Sequence, residues 1–261
     1  MILKLYQVDA FANKLFGGNP AAVCPLDTWL PNDTLQNIAA ENNLAETAFY
    51  VKTVNGFHIR WFTPKSEVNL CGHATLATAF VLFEIEGFQG DEISFESRSG
   101  ILTVTKKGNK LTLNFPVDKI EKIELTEDFK ACFDRTAQEV YKGKDDYMMV
   151  FSSQREIESL KPNLSEIAKY ESRGIIVTAK GDEVDFVSRY FAPAFGIDED
   201  PVTGSAHTTL VPYWAKRSGK FSFTARQLSE RKGYLECELI GDRVEISGEA
   251  VLYLKGEISI N

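Results

Sequence analysis

A thiol, a glycine and an imidazole stand side by side at Cys71, Gly72 and His73, directly before the small, apolar residues 74–80. This pattern predicts a helix that begins at Gly72 or His73 and runs to about Glu84. The unpaired N–H groups and the positive dipole end of such a helix favour an anion, such as a carboxylate, in the space before it. A nucleophile and a base at this position are suited to acid–base or covalent chemistry on a small anionic molecule.

A second candidate is Glu46, which lies in the strand-like segment of residues 44–51. Alternation along a strand places Glu46 on the same face as Leu44, Ala48 and Tyr50, so an acid lies on an otherwise apolar face. Burial of a carboxyl favours proton uptake, which suits a group that must accept and return protons near neutrality. The alternative is that Glu46 faces solvent and its apolar neighbours are partly exposed.

Composition narrows the class of protein. The 261 residues are 44% hydrophobic and 25% charged, as in an ordinary folded globular chain, and the net charge of −8 argues against nucleic acid as a partner. No apolar run approaches the ~20 residues that a membrane helix needs, and the N-terminus has no signal-peptide pattern, so we expect no membrane association and a cytoplasmic location.

Cysteine usage predicts neither a disulfide framework nor a metal site. The four cysteines are Cys24, Cys71, Cys132 and Cys237, and no two of them form a Cys-x-x-Cys pair. The chain has only three histidines, so a zinc-ligand pattern is absent from the sequence as well. Reduced thiols and no metal are the expectation.

The remaining pattern predicts mostly strands with a few helices. Predicted strands cover residues 3–11, 21–24, 44–51, 56–62, 111–115 and 174–178. Predicted helices cover residues 35–42, about 72–84, a helix-prone stretch at 121–137, 165–173, and a segment that starts after Ser205.

An internal repeat organises these elements. The matching segments are 60–64 with 189–193, 71–74 with 203–206, and 98–113 with 231–246. Three matches in the same order, with the offset drifting only from 189 − 60 = 129 to 231 − 98 = 133, indicate two copies of one unit. We therefore predict domains at 1–115 and 116–261, with the final strand free to join the first, and a ligand cleft between the two halves.

Ordered short motifs cover nearly the whole chain and carry a resemblance to a known family. They are Val8-Asp-Ala-Phe11, Phe16-Gly-Gly-Asn19-Pro20-Ala-Ala-Val23, Leu44-Ala-Glu46-Thr-Ala-Phe49, Arg60-Trp-Phe62-Thr-Pro64, Cys71-Gly72-His73-Ala74-Thr75 and Asp200-Pro201-Val-Thr203-Gly204-Ser205-Ala206. In this order they resemble the PhzF-like proteins, isomerases that use no cofactor and have the diaminopimelate-epimerase type of fold.

The resemblance implies an α+β fold of two pseudo-symmetric domains, each a barrel-like, mostly antiparallel sheet around a central helix. It implies a homodimer without metal or cofactor that moves a proton on a small carboxylate-bearing metabolite in the inter-domain cleft. The family pattern places the proton shuttle at Glu46 and assisting groups at His73 and Asp200. The residues implied to bind the substrate are Gly72, Gly204, Ser205 and Asn19.

One departure from related enzymes concerns the cysteines. Cys71 occupies a place where related racemases and epimerases of this fold hold one of two catalytic cysteines, but the second place is Thr203. A two-thiol racemase is therefore not expected. A racemase or hydro-lyase that uses Cys71 alone stays open, since a helix N-terminus lowers the pKa of a thiol. The favoured alternative is that Cys71 is a small buried residue that packs at the helix start, as most free cysteines are core residues. A binding protein without turnover is the third hypothesis.

Overall fold

The computed structural model describes residues 1–260, and the chain divides into two compact units. Unit 1 comprises residues 1–114 and 247–260, and unit 2 comprises residues 115–246. The strands are β1 (Ile2–Ala10), β2 (Asn19–Leu26), β3 (Glu46–Thr53), β4 (Gly56–Phe62), β5 (Glu67–Val68), β6 (Glu92–Ser97), β7 (Gly100–Lys107), β8 (Lys110–Pro116), β9 (Glu121–Ile123), β10 (Glu139–Lys142), β11 (Asp146–Val150), β12 (Gly174–Lys180), β13 (Phe186–Phe191), β14 (Ser222–Gln227), β15 (Gly233–Ile240), β16 (Arg243–Gly248) and β17 (Ala250–Ser259). The helices are α1 (Asn32–Asn42), α2 (Gly72–Glu84), α3 (Glu127–Ala131), α4 (Gln154–Ser159), α5 (Leu164–Ile167) and α6 (His207–Ser218).

Unit 1 is a mixed, mostly antiparallel sheet. Strand β1 lies between β17 and β2 and is antiparallel to both, whereas β2 and β3 run parallel. Strand β3 is antiparallel to β4, β4 is parallel to β6, and β6, β7 and β8 form an antiparallel meander. Because β17 pairs with β1, the end of the chain belongs to unit 1, an arrangement that the sequence left open.

Helix α2 is the central helix of unit 1, and its predicted start at Gly72 and end at Glu84 are confirmed. All of its residues are buried except Phe80 and Glu84. The helix contacts β1, β2, β3, β7 and β17, so sheet surrounds it on several sides. A helix without a polar face is stable in this position because each of its faces is covered by apolar side chains. The α+β class with a helix packed inside a mostly antiparallel sheet is confirmed.

Unit 2 also combines antiparallel and parallel pairs. Strands β9, β10 and β11 are antiparallel neighbours, β11 and β12 are parallel, and β12 and β13 are antiparallel. Strand β14 joins β13 in parallel and β15 in antiparallel orientation. Helix α6 follows a 3₁₀ turn at Gly204–Ala206 and contacts β15, and its Trp214 stacks on Phe186 of β13. The predicted helix after Ser205 is confirmed.

Two predicted helices were too long. The stretch at 121–137 forms strand β9 and the short helix α3, because β9 pairs with β10 and strand pairing overrides local helix propensity. The stretch at 165–173 forms only α5, since Tyr170 turns away to stack on Phe129 and Arg173 N–H donates to the Asp145 carbonyl. Both corrections show tertiary contacts ending a helix early.

Among residues 1–260, none of the helices combines the length and the hydropathy that crossing a bilayer requires.

Candidate active site

The start of α2 fixes the backbone of Cys71, Gly72 and His73. Cys71 is the N-cap residue in an extended conformation, and its carbonyl accepts from the Thr75 amide at 3.2 Å and from the Thr75 hydroxyl at 2.5 Å. No side chain caps the helix start. The first N–H groups of a helix have no acceptor within the helix, so this end can stabilise an anion.

Glu46 is the first residue of β3, and its side chain meets His73 of α2. The Glu46 Oε2 and His73 Nε2 atoms are 3.2 Å apart, and the two side chains are 12% and 5% exposed. Neither atom has a hydrogen-bond partner of good geometry, so the contact is chiefly electrostatic. Ala48 and Tyr50 on the same face of β3 are buried. The acid therefore lies on an apolar face, as the alternation predicts, and the solvent-facing alternative is wrong.

The other ring nitrogen of His73 has two neighbours. Asn19 Nδ2 lies 3.2 Å from His73 Nδ1, and Cys71 Sγ lies 3.5 Å from the same atom. Asn19 is fully buried at the start of β2, which runs parallel to β3 with Ala21 opposite Glu46. The parallel pairing places both strand starts at one edge of the sheet, beside the start of α2.

This cluster changes the ionisation of two of its members. Burial by itself lowers the pKa of His73, but the neighbouring Cys71 and Glu46 outweigh it and raise the pKa of His73 well above its usual value. Burial raises the pKa of the Cys71 thiol to about 11, and the Glu46 carboxylate adds to this increase. The expected lowering of the Cys71 pKa by the helix start is therefore outweighed. At neutral pH, Cys71 is therefore a thiol, and Glu46 is the charged neighbour that favours proton binding by His73.

The raised pKa of His73 predicts that the free energy of unfolding falls as the pH rises above about 6.5. Folding strengthens proton binding by His73, so its contribution is complete below the unfolded pKa and is lost as the pH rises through the higher folded pKa. His73→Gln is expected to remove this dependence. Urea unfolding of both proteins between about pH 6 and pH 9 measures it, and equal slopes for the two would contradict the assignment.

The raised pKa of Cys71 predicts slow alkylation. Only the thiolate reacts, so at about pH 8 iodoacetamide should modify Cys71 in the folded protein at least about 100-fold more slowly than an unperturbed thiol. Peptide mass spectrometry after timed quenching measures the rate, and the urea-unfolded chain is the matched control. Rapid, selective labelling of Cys71 would restore the hypothesis of cysteine catalysis.

One group of side chains in unit 1 has the spacing of metal ligands. It consists of Glu46, Cys71 and His73, and one ligand atom from each lies within 4.8 Å of the others. However, Cys71 approaches Nδ1 of His73, whereas Glu46 approaches Nε2. One imidazole nitrogen binds one ion, so a single metal could not use all three contacts as they stand.

In unit 2, Asp200 is held in a buried polar loop. The Thr203 hydroxyl donates to Asp200 Oδ2 at 2.5 Å, and Gln227 Nε2 donates to the Asp200 carbonyl at 2.8 Å. Gln227 Oε1 in turn accepts from the Thr203 amide at 2.8 Å. Gln227 is fully buried, so this one side chain fixes the loop that leads to Gly204 and Ser205. Thr203, the counterpart of Cys71 in the repeat, is thus a structural partner of Asp200.

Ser205 has a partner that the sequence did not reveal. Arg173 Nη1 donates to Ser205 Oγ at 2.9 Å, and Arg173 Nε donates to Asp146 Oδ1 at 3.0 Å. Arg173 Nη2 contacts the second oxygen of Asp146, and the Tyr190 hydroxyl donates to Asp146 at 2.8 Å. Burial acts to lower the pKa of Arg173, but the bonds to Asp146 raise it overall, so Arg173 stays charged.

His207, at the start of α6, has a structural role. Its Nδ1 lies 3.1 Å from the Thr203 carbonyl, and burial lowers the pKa of His207 to about 4. A neutral imidazole at neutral pH therefore donates to that carbonyl, with the tautomer assigned from this contact.

The structure thus brings together Glu46, His73, Asn19 and Cys71, next to Gly72, in unit 1, and it places Asp200, Gly204 and Ser205 in one stretch of unit 2. Sequence reasoning missed Gln227, Arg173, Asp146 and Tyr190. The only signal for them is position: Arg173 and Tyr190 flank or lie in strands of the second repeat. Nothing in their residue types indicates a network.

Three comparisons with known proteins agree with this architecture. The chain matches the family model PhzC-PhzF, phenazine biosynthesis-like protein, over residues 8–256. It is 46% identical over 261 residues to an uncharacterized isomerase of Pseudomonas aeruginosa, and the match covers 100% of both chains. A crystal structure of a phenazine biosynthesis protein of the PhzF family from Enterococcus faecalis superposes with a TM-score of 0.97 at 46% identity, covering 100% of both chains.

A more distant likeness concerns the fold alone. A hydroxyproline epimerase from Agrobacterium vitis is 12% identical and has a TM-score of 0.59, over 98% of this chain and 91% of that chain.

Proposed function

The chain belongs to the PhzC-PhzF family of phenazine biosynthesis-like proteins, and we propose that it is an isomerase that moves a proton on a small carboxylate-bearing metabolite. The observation that carries the proposal is the shielded pair of Glu46 and His73, 3.2 Å apart at the start of a buried helix. An acid and a base held in contact, away from bulk water, are suited to take a proton from carbon and return it.

The proposed reaction needs one proton carrier and no change of oxidation state. The Glu46 carboxylate removes a proton from a carbon next to an electron-withdrawing group, which leaves an enolate-like anion on the substrate and a neutral Glu46 carboxyl. Glu46 then returns the proton to another carbon on the same face of the anion. The N–H groups at the start of α2, from Gly72 onward, stabilise the negative charge that develops.

His73 is the proposed electrostatic partner of the shuttle. Its ring stabilises the Glu46 carboxylate through Nε2 before proton transfer, and Asn19 and Cys71 contact Nδ1 on the other side of the ring. Cys71 is not the proposed base, because a thiol with a pKa of about 11 is not ionised at neutral pH. A racemase or hydro-lyase that depends on Cys71 is therefore the weaker alternative.

Roles for the residues of unit 2 form part of the same proposal. Asp200 is proposed to assist proton transfer or substrate positioning, and Gly204 and Ser205 are proposed to bind the substrate carboxylate. Their support is the repeat, which places Gly204 and Ser205 at a helix start equivalent to that of Gly72 and His73. We also predict that the protein is a homodimer and that it acts without metal or cofactor. A cytoplasmic location stays a prediction as well, and the four free thiols favour it.

A screen in heavy water tests the proposed function. Small hydroxy-, keto- and amino-acid metabolites are incubated with the protein in D₂O, and deuterium uptake at carbon is followed by mass spectrometry and proton NMR. A compound that gains deuterium only with active protein identifies both the substrate and the reacting carbon. Tight binding without uptake in any compound would instead support a binding protein.

A further inference from the structure

The strands around the acid of unit 1 have counterparts of the same pairing pattern in unit 2. In unit 1, β3 runs parallel to β2 and antiparallel to β4, with Thr47 opposite Phe62. In unit 2, β12 runs parallel to β11 and antiparallel to β13, with Ile175 opposite Phe191. Phe62 and Phe191 hold the same place in the repeated Arg-x-Phe-x-Pro motif. Glu46, which comes just before Thr47, therefore corresponds to Gly174, which comes just before Ile175.

Gly174 leaves no room for an acid of its own. A Cβ atom there would lie 2.6 Å from the ring of Tyr190. The carboxylate beside Gly174 belongs to the neighbouring strand: it is that of Asp146 in β11, which pairs with Gly174. Asp146 is 3% exposed, and its oxygens are occupied by Tyr190 and by two nitrogens of Arg173. This acid holds a cation in place and, unlike Glu46, has no free role as a proton carrier.

The two units therefore have different types of side chain in contact with equivalent helix starts. In unit 1, the strand-borne Glu46 contacts His73, whereas in unit 2 Arg173, next to Gly174, contacts Ser205. His73 and Ser205 are counterparts in the repeated motif. The first pairing can exchange protons near neutrality. The second consists of a permanent cation and a hydroxyl, so it serves hydrogen bonding.

The direction of the bond from Arg173 determines what Ser205 can do. A guanidinium only donates, so Ser205 Oγ must be the acceptor in this contact, and its own O–H proton stays available. Among residues 1–260, that proton has no acceptor. Asp146 neutralises the charge of Arg173, so the arginine contributes orientation and polarisation to Ser205 more than net positive charge.

We propose that Arg173 is a positioning residue that commits the Ser205 hydroxyl to donate to a carboxylate ligand. The N–H groups of Gly204 and Ser205 supply the other donors, since the Ala206 N–H donates to the Thr203 carbonyl, and Asp146 with Tyr190 holds Arg173 in place. The ligand class is a carboxylate anion, because an acceptor with several lone pairs satisfies a hydroxyl and adjacent amides together. The inference rests on the proposed function for the role of Ser205 toward substrate.

Acetate binding tests this without relying on turnover. Sodium acetate is titrated into the full-length protein, and the amide NMR signals of Gly204 and Ser205 are followed, with neutral acetamide as the ligand control. Arg173→Gln and Ser205→Ala are each expected to weaken acetate binding at least about fivefold, and the double variant no further. Arg173→Lys should recover part of the affinity. The matched control is Arg226→Gln, which removes another arginine ion pair of unit 2, with Glu183, and should leave binding unchanged.

Two outcomes would overturn the proposal: acetate affinity unchanged in Arg173→Gln, or losses that simply add in the double variant. Urea unfolding of the same proteins measures any structural effect of the substitutions on the free energy of unfolding. A general loosening of the loop would lower the acetate affinity of Arg173→Gln beyond that of Ser205→Ala. Deuterium uptake that depends on Glu46 while acetate affinity ignores Arg173 would reject this inference alone. Acetate binding that depends on Arg173 without any uptake would reject the proposed function alone.

Discussion

Glu46→Gln is expected to lower the rate of deuterium uptake into the substrate by about 10²- to 10⁴-fold, while the fold remains intact. Glutamine keeps the size of the side chain but can neither accept nor return a proton. The change also removes the charge that favours the His73 imidazolium, so the pKa of His73 should fall. The rate is measured by mass spectrometry with the substrate found in the heavy-water screen, and the His73 ionisation by NMR.

Glu67→Gln is the matched control for that experiment. Glu67 is also in unit 1, its side chain is 13% exposed against 12% for Glu46, and it pairs with Arg60 at 2.7 Å. Loss of that ion pair should reduce stability and leave proton transfer intact. An uptake rate in Glu46→Gln within about threefold of the unmutated protein would remove Glu46 as the shuttle, since general acid–base catalysis is worth far more.

Gly18→Ala is expected to lower the free energy of unfolding by about 2–5 kcal/mol. Gly18 has a φ of +63°, which an L residue adopts at a cost, and a Cβ atom would lie 2.1 Å from the Ala10 carbonyl oxygen. That contact is with backbone, so the loop must move. The next residue is Asn19, whose side chain meets His73, and activity should therefore fall together with stability. Urea unfolding and the uptake assay measure the two effects.

Gly108→Ala separates the two causes. Gly108 has nearly the same φ, +62°, but nothing lies within 4 Å of its would-be Cβ atom. Only the conformational cost of about 1–2 kcal/mol is expected there, with no change in activity. If both variants lose the same stability, the close approach to Ala10 contributes nothing, and the argument for a rigid loop before Asn19 fails.

Helix α2 shows how much local pattern can predict. Its unbroken run of small and apolar residues, without Lys or Arg, determined that a helix starts at Gly72 and is buried on all sides. Alternation in β3 likewise determined that Glu46 shares a face with Ala48 and Tyr50. In both cases the side-chain period of the element is short, so the pattern is complete within one segment. Where a distant strand decided the outcome, as at residues 121–137, the same reasoning predicted a helix that is too long.

Sequence alone determined the class of fold and the family resemblance, and it named Glu46, Asn19, Cys71 and His73 as separate candidates, because these depend on residue order and on motifs within short segments. Tertiary structure alone decided the state and the partners of these groups. Burial beside Glu46 raised the pKa of Cys71, whereas a helix start by itself would lower it. Strand pairing brought Arg173 to Ser205 across 32 residues of chain. Charge and burial act through space, so a linear pattern does not record them.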